Sequence, residues 1–145
     1  MAQTKVKELM RRNPEVISPD STIKEAAQKM KFLDCGVLPV GDKDILEGII
    51  TDRDIVLSAV AKGKDISQER VRDHMTYQVF GCREEDSLEE AAQQMHDHQV
   101  NRLVVRDDSG KVSGILSFGR IIREDADATE IAKVVEYAVS GKKAA

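Results

Sequence analysis

Apolar residues recur at helical spacing in two places. Ile23, Ala26, Ala27 and Met30 fall at i, i+3, i+4 and i+7, and so do Leu88, Ala91, Ala92 and Met95. This spacing predicts two helices, each with one apolar stripe. Both starts carry a hydroxyl three residues ahead of a glutamate, Thr22…Glu25 and Ser87…Glu90. That pairing satisfies backbone N–H groups left free at a helix start. Short apolar runs surround the helices. Val16-Ile17, Val37 to Val40 and Ile45 to Ile50 accompany the first, and Val79-Phe80, Leu103 to Val105 and Val112 to Leu116 the second. They predict strands, with turns at Gly41 to Asp44 and Asp107 to Lys111. Further helices are predicted from about Asp52 and about Phe118. A last stripe, Ile131, Val134, Val135 and Ala138, predicts a helix over about Thr129 to Val139, followed by a polar, frayed tail at 140–145.

The two halves of this pattern are copies. Val6-Lys7-Glu8-Leu9-Met10 reappears as Val71-Arg72-Asp73-His74-Met75, a shift of 65 residues, and the two striped helices and Leu38-Pro39-Val40/Leu103-Val104-Val105 obey the same shift. After one inserted residue, Gly48-Ile49-Ile50-Thr51 meets Gly114-Ile115-Leu116-Ser117. Blocks matching in one order, with a single insertion, indicate a duplicated β-α-β-β-α unit. The expected class is α/β (α+β), with two repeats packed about a pseudo-twofold axis and an added C-terminal helix. The expected limits are 1–65, 66–125 and 126–145.

Composition narrows the function. No apolar run approaches the ~20 residues of a membrane span, and the N-terminus shows no secretory pattern. Cys35 and Cys82 are too few for a disulfide scaffold, which points to a reducing, cytoplasmic setting. Charged residues are 33% and aromatic ones 3%. A net charge of −4 and a pI near 5.4 argue against nucleic acid as a partner. His74, His96 and His98 lack metal-ligand spacing, so no metal site is expected.

The strongest chemical signal is Gly48-Ile49-Ile50-Thr51-Asp52-Arg53-Asp54, where a strand ends and a helix begins. Thr51-x-x-Asp54 reads as a helix cap. It reads equally as a ligand site, with free N–H groups and the Thr51 hydroxyl for a phosphate and Asp54 accepting from a vicinal diol such as ribose. The two readings are compatible.

Taken together, the Gly-h-h-Thr-x-x-Asp stretch, the Ala-Ala-x-x-Met helices and the Leu-Pro-Val strand resemble a tandem pair of cystathionine-β-synthase (CBS) domains, the Bateman module of stand-alone bacterial proteins. The resemblance spans about residues 6 to 123. It implies a regulatory module that binds an adenosyl ligand (AMP, ADP, ATP or S-adenosylmethionine) in clefts between the repeats, without a prosthetic group. It also implies a homodimer that signals to a separate protein. Carried over, Asp54 would hold the ribose and Thr51 a phosphate, with Arg53 and Arg102 as further phosphate ligands. Ile49 would pack on adenine, with the backbone near Val79 and Phe80 reading its edge. Gly81, Val100 and Asn101 would complete that wall.

The second copy departs from this pattern, because Arg120 stands where Asp54 does and cannot accept from a ribose. Its cleft would draw on Val16, Ile17, Cys35, Gly36, Val37, Ile115, Ser117 and Arg120, and would be empty, weak or suited to an anion. The alternatives are a structural or interaction protein with degenerate clefts and a nucleotide-hydrolysing enzyme. The sequence offers no nucleophile or acid–base constellation for the latter.

Overall fold

The order of elements is α1 (Val6–Leu9), β1 (Arg11–Arg12), α2 (Ile23–Leu33), β2 (Val37–Gly41), β3 (Leu46–Thr51), α3 (Asp52–Asp54), β4 (Gly81–Arg83), α4 (Leu88–Asp97), β5 (Arg102–Arg106), β6 (Val112–Ser117), α5 (Phe118–Glu124) and α6 (Ala128–Ser140). The chain is seen in a computed structural model that describes residues 3–42, 44–125 and 127–140. Lys43 of the first expected turn and the expected tail beyond Ser140 lie outside the described residues.

The striped helices form where the spacing puts them. Ile23, Ala26 and Met30 of α2 and Leu88, Ala91, Ala92 and Met95 of α4 are buried. Thr22 and Ser87 accept from the N–H of Glu25 and Glu90, each at 3.1 Å, so the hydroxyl half of each expected cap is realised. The copies also stop alike. Asp34 (φ 53°) and Gln99 (φ 54°) are left-handed, and the next N–H reaches back to Met30 O at 3.0 Å and Met95 O at 2.9 Å. This wrap satisfies carbonyls that a helix end leaves open.

Four expectations shift. Val16-Ile17 forms no full strand, and only Ile17 bridges Val40 in parallel. Pro14 and Pro19 flank this pair and have no N–H to extend the ladder. The strand expected at Val79-Phe80 begins at Gly81. The helix after β3 widens at once from α3 into π-type turns over Ile55–Val60. On α6, Tyr137 and Glu130 turn inward with Val134, while Val135 is 37% exposed.

Contacts divide the chain in a way the repeat does not announce. Pro14–Val79 make one unit, and Phe80 onward makes the other together with the N-terminal segment through Asn13. Each copy of the Val-x-x-x-Met block serves the other repeat's core. Val71 and Met75 are buried with Ile23, Leu38 and Ile50. Val6 and Met10 are buried with Leu88, Leu103 and Leu116. The contacts therefore part at 13/14 and 79/80 rather than at the repeat limits of 65/66 and 125/126.

The 14–79 unit has the antiparallel pair β2–β3, with Val37 opposite Thr51. The other unit has a sheet in the order β1-β6-β5-β4, with β4 parallel to β5 and the other pairs antiparallel. There α6 packs along α4, and Lys5 and Lys7 both reach Glu85 at 2.6 Å. Burial pushes the Cys82 thiol up to about 12, so it stays a protonated core group.

Glu130 is the buried acid of α6. It accepts from Thr4 N at 3.0 Å, but its Oε1 and Asp125 Oδ2 are buried without a partner. Burial raises its pKa, the Thr4 N–H opposes this, and the Asp125 carboxyl raises it further. A raised acid contributes stability that is full below its unfolded value and is lost as pH rises through its folded value. Glu130→Gln keeps an acceptor for Thr4 and removes the charge. Its melting temperature should exceed wild type by about 2–4 °C at pH 8, with the gap closing below pH 5. An equal gap at both pH values would contradict this.

Candidate functional site

The site expected at the end of β3 is built by backbone returning from residues 74–76. Ile49 exchanges both backbone bonds with Thr76, at 3.0 and 2.8 Å. This close approach needs Gly48, where a Cβ would lie 2.4 Å from Thr76 O. Past the bridge, Thr51 starts α3 with a full reciprocal cap. Its Oγ accepts from Asp54 N at 3.0 Å, and Asp54 Oδ2 accepts from Thr51 N at 3.0 Å. Thr76 adds its hydroxyl, 3.2 Å from each Asp54 carboxylate oxygen.

The cap reading is thus realised in full, and it corrects one part of the ligand reading. The first-turn N–H groups expected to be free for a phosphate are occupied. Asp52 N donates to Gly36 O at 2.9 Å, Arg53 N to Asp52 Oδ1 at 2.9 Å, and Asp54 N to Thr51. What remains for an anion is the Thr51 O–H and the exposed Arg53 side chain. Asp54 is half-buried, and its carboxylate keeps about half of its acceptor positions.

Other expected residues are placed unit by unit. In the 14–79 unit, Val37 lies opposite Thr51, Gly36 accepts from Asp52 N, Ile17 is buried, and Val16 and Val79 are half-buried. Cys35 and Gly36 also line a pocket of about 350 Å³ with Met30, Lys31, Asp34 and Asp52.

In the other unit, Arg102 lies opposite Ser117 and Asn101 O accepts from Phe118 N at 2.9 Å. Phe80 and Val100 pack on that unit's core, Ile115 is buried, and Gly81 opens β4 at the sheet edge. Phe80 stacks on His98, ring centres 3.8 Å apart at 11°. Ser117 accepts from Arg120 N at 3.1 Å, and Arg120 Nε donates to Leu9 O at 2.5 Å. Arg120 is thereby drawn toward the backbone of α1, which takes up part of the cation expected to serve an anion.

Thr76 was not foreseen, because the other repeat has Arg11 at that place and no periodicity marks it. Equally unforeseen is a line of side chains behind Asp54. Ser58 Oγ lies 2.5 Å from Asp54 O and 2.8 Å from His74 Nδ1, and His74 Nε2 lies 3.1 Å from Glu69 Oε1. The order Ser-His-Glu is that of a hydrolytic triad, but the hydroxyl proton is committed to a helix carbonyl. Such a serine has no proton to give the imidazole and is no nucleophile. Among the described residues no group of three or more His, Cys, Asp or Glu is placed to hold a metal, and no helix is long and apolar enough to cross a membrane.

The family model for the CBS domain matches this chain twice, over residues 6–60 and 71–137. The chain belongs to the CBS domain family. The CBS domain-containing protein YhcV of Bacillus subtilis is 39% identical over 114 residues, 79% of this chain and 80% of its own length. Among solved structures, the CBS domain pair of protein MJ0100, in complex with 5′-methylthioadenosine and S-adenosyl-L-methionine, superposes with a TM-score of 0.74 at 28% identity. It covers 84% of this chain and 95% of that one. CBSX2 in complex with AMP gives a TM-score of 0.65 at 27% identity over 82% of this chain and 93% of that one. The tandem CBS architecture implied by the resemblance is therefore established, and both bound relatives carry ligands that share an adenosyl group.

Proposed function

We propose that this CBS pair is a non-catalytic regulatory module that binds an adenosyl ligand (AMP, ADP, ATP or S-adenosylmethionine) and signals to a separate protein. Asp54 carries the reading. Its carboxylate is fixed by Thr51 N and Thr76, is half-buried, and still has acceptor positions for the two hydroxyls of a ribose. Thr51, whose oxygen takes Asp54 N, has its proton left for a phosphate, and Arg53 adds an exposed positive charge. The adenosine ligands of the MJ0100 pair and CBSX2 support the same class of compound. Arg120 in place of Asp54 supports one such site per chain.

Calorimetry of the full chain with AMP, ATP and S-adenosylmethionine tests this. At least one should bind at one per chain, and Asp54→Ala should bind it more weakly. No heat with any of the three overturns the reading. Two equal sites remove the asymmetry, and release of ADP or AMP from ATP by the pure protein overturns the non-catalytic part.

The same proposal includes a dimer. Val56, Leu57 and Val60 leave about half of their surface in water, at 53%, 49% and 58% exposure, an apolar strip that a second copy of the chain would cover. Light scattering at micromolar concentration should give twice the chain mass, and a monomer would remove this part.

A further inference from the structure

We propose that Glu69, His74 and Ser58 are positioning residues for Asp54, and that the protonation of His74 sets the adenosyl affinity of the site. The affinity part rests on the function proposed above. The argument begins with hydrogen-bond accounting. Asp54 O is a carbonyl and only accepts, so the contact at 2.5 Å fixes the Ser58 proton on that side. Ser58 Oγ then faces His74 Nδ1 at 2.8 Å as an acceptor, and Nδ1 must carry a proton. Nε2 faces the Glu69 carboxylate at 3.1 Å and must carry one too. The imidazole in this arrangement is an imidazolium, with its side chain 5% exposed and Glu69 31% exposed. A buried charge of this kind requires a paired, hydrogen-bonded counter-charge, and Glu69 supplies it. Of its chain neighbours, Arg72 is taken by Asp20 and Asp73 is exposed.

Loss of the Nδ1 proton sets two lone pairs against each other at 2.8 Å. The Ser58 hydroxyl must then turn to Nδ1 and leave Asp54 O. That carbonyl belongs to the residue whose carboxylate is held from the other side by Thr76, two positions beyond His74. The imidazole thus holds Asp54 from the helix through Ser58. Its deprotonation loosens that hold.

The test uses 5′-methylthioadenosine, which has no phosphate to titrate, at a series of values from about pH 5 to about pH 8. Wild type should lose roughly tenfold in affinity toward the upper end. His74→Gln and Ser58→Ala should bind with a flat profile, and Ser58→Ala serves if His74→Gln fails to fold. A flat wild-type profile, or a slope kept in Ser58→Ala, overturns the link to affinity. Imidazole nitrogen spectra of the ligand-free chain read the relay separately. Nδ1 should be protonated at the acid end, with the Asp54 and Ser58 amide signals moving as it loses its proton. Amide signals that stay fixed overturn the relay. If 5′-methylthioadenosine binds at no pH while those amides do move, the function proposed above fails and the relay stands.

Discussion

Asp54→Ala should weaken adenosyl binding about 10- to 100-fold, the loss that accompanies a charge-assisted hydrogen bond of about 1.5–3 kcal/mol. The same substitution should cost about 1 kcal/mol of stability, because Asp54 closes the cap of α3 on Thr51 N at 3.0 Å. The two effects are separable. Asp54→Asn retains an amide oxygen for Thr51 N–H and Thr76, so its melting temperature should stay near that of wild type. Its neutral oxygen binds hydroxyls more weakly and adds a donor pair where acceptors are needed, so its affinity should still fall. Calorimetry paired with thermal melts on the three proteins checks this. Equal affinity in all three would remove Asp54 from the site.

Gly48→Ala should be strongly damaging to the 14–79 unit. A methyl there would sit 2.5 Å from the Met75 Cε and 2.4 Å from Thr76 O. The methionine end can swing away. The carbonyl cannot, since it is backbone and accepts from Ile49 N at 3.0 Å. The bridge must open, at a cost of about 2–3 kcal/mol, and Thr76 leaves Asp54 with it, so affinity falls alongside stability. Gly114→Ala meets Met10 Sδ at 2.5 Å and Arg11 O at 2.9 Å. The tightest contact there is a flexible side chain, so its cost should be smaller, about 1–2 kcal/mol. Denaturant melts giving Gly114→Ala as the less stable of the two would reverse this account.

The legible parts of this molecule are those written in short-range pattern. The stripes of α2 and α4 give helices because burial repeats every third and fourth residue, and Thr51-x-x-Asp54 gave the cap of α3. The family resemblance gave the tandem CBS architecture. What was not legible lies in pairings across long separations. Thr76 meets Asp54 only because the chain returns to Ile49 after a 3-10 turn at Val71–Asp73, and His74 gave no sign that Ser58 would face it. Of the occupied first-turn N–H groups, that of Asp52 depended on Gly36 O, which no local rule points to. On α6, the helical period placed the face within one residue, and the choice of Tyr137 over Val135 followed from packing on α4.

The exchange of the Val-x-x-x-Met blocks has a consequence for the order in which the chain can come to rest as it leaves the ribosome. Residues 14–79 are contiguous, and everything their core requires, including Val71 and Met75, has been synthesised once residue 79 has emerged. Val6 and Met10 are made before that unit and have nowhere to go, because their buried neighbours run as far as Val134 and Tyr137. The segment ahead of residue 14 is therefore placed after the unit that follows it. Removing the first dozen residues would strip core from the half of the protein encoded farthest from them.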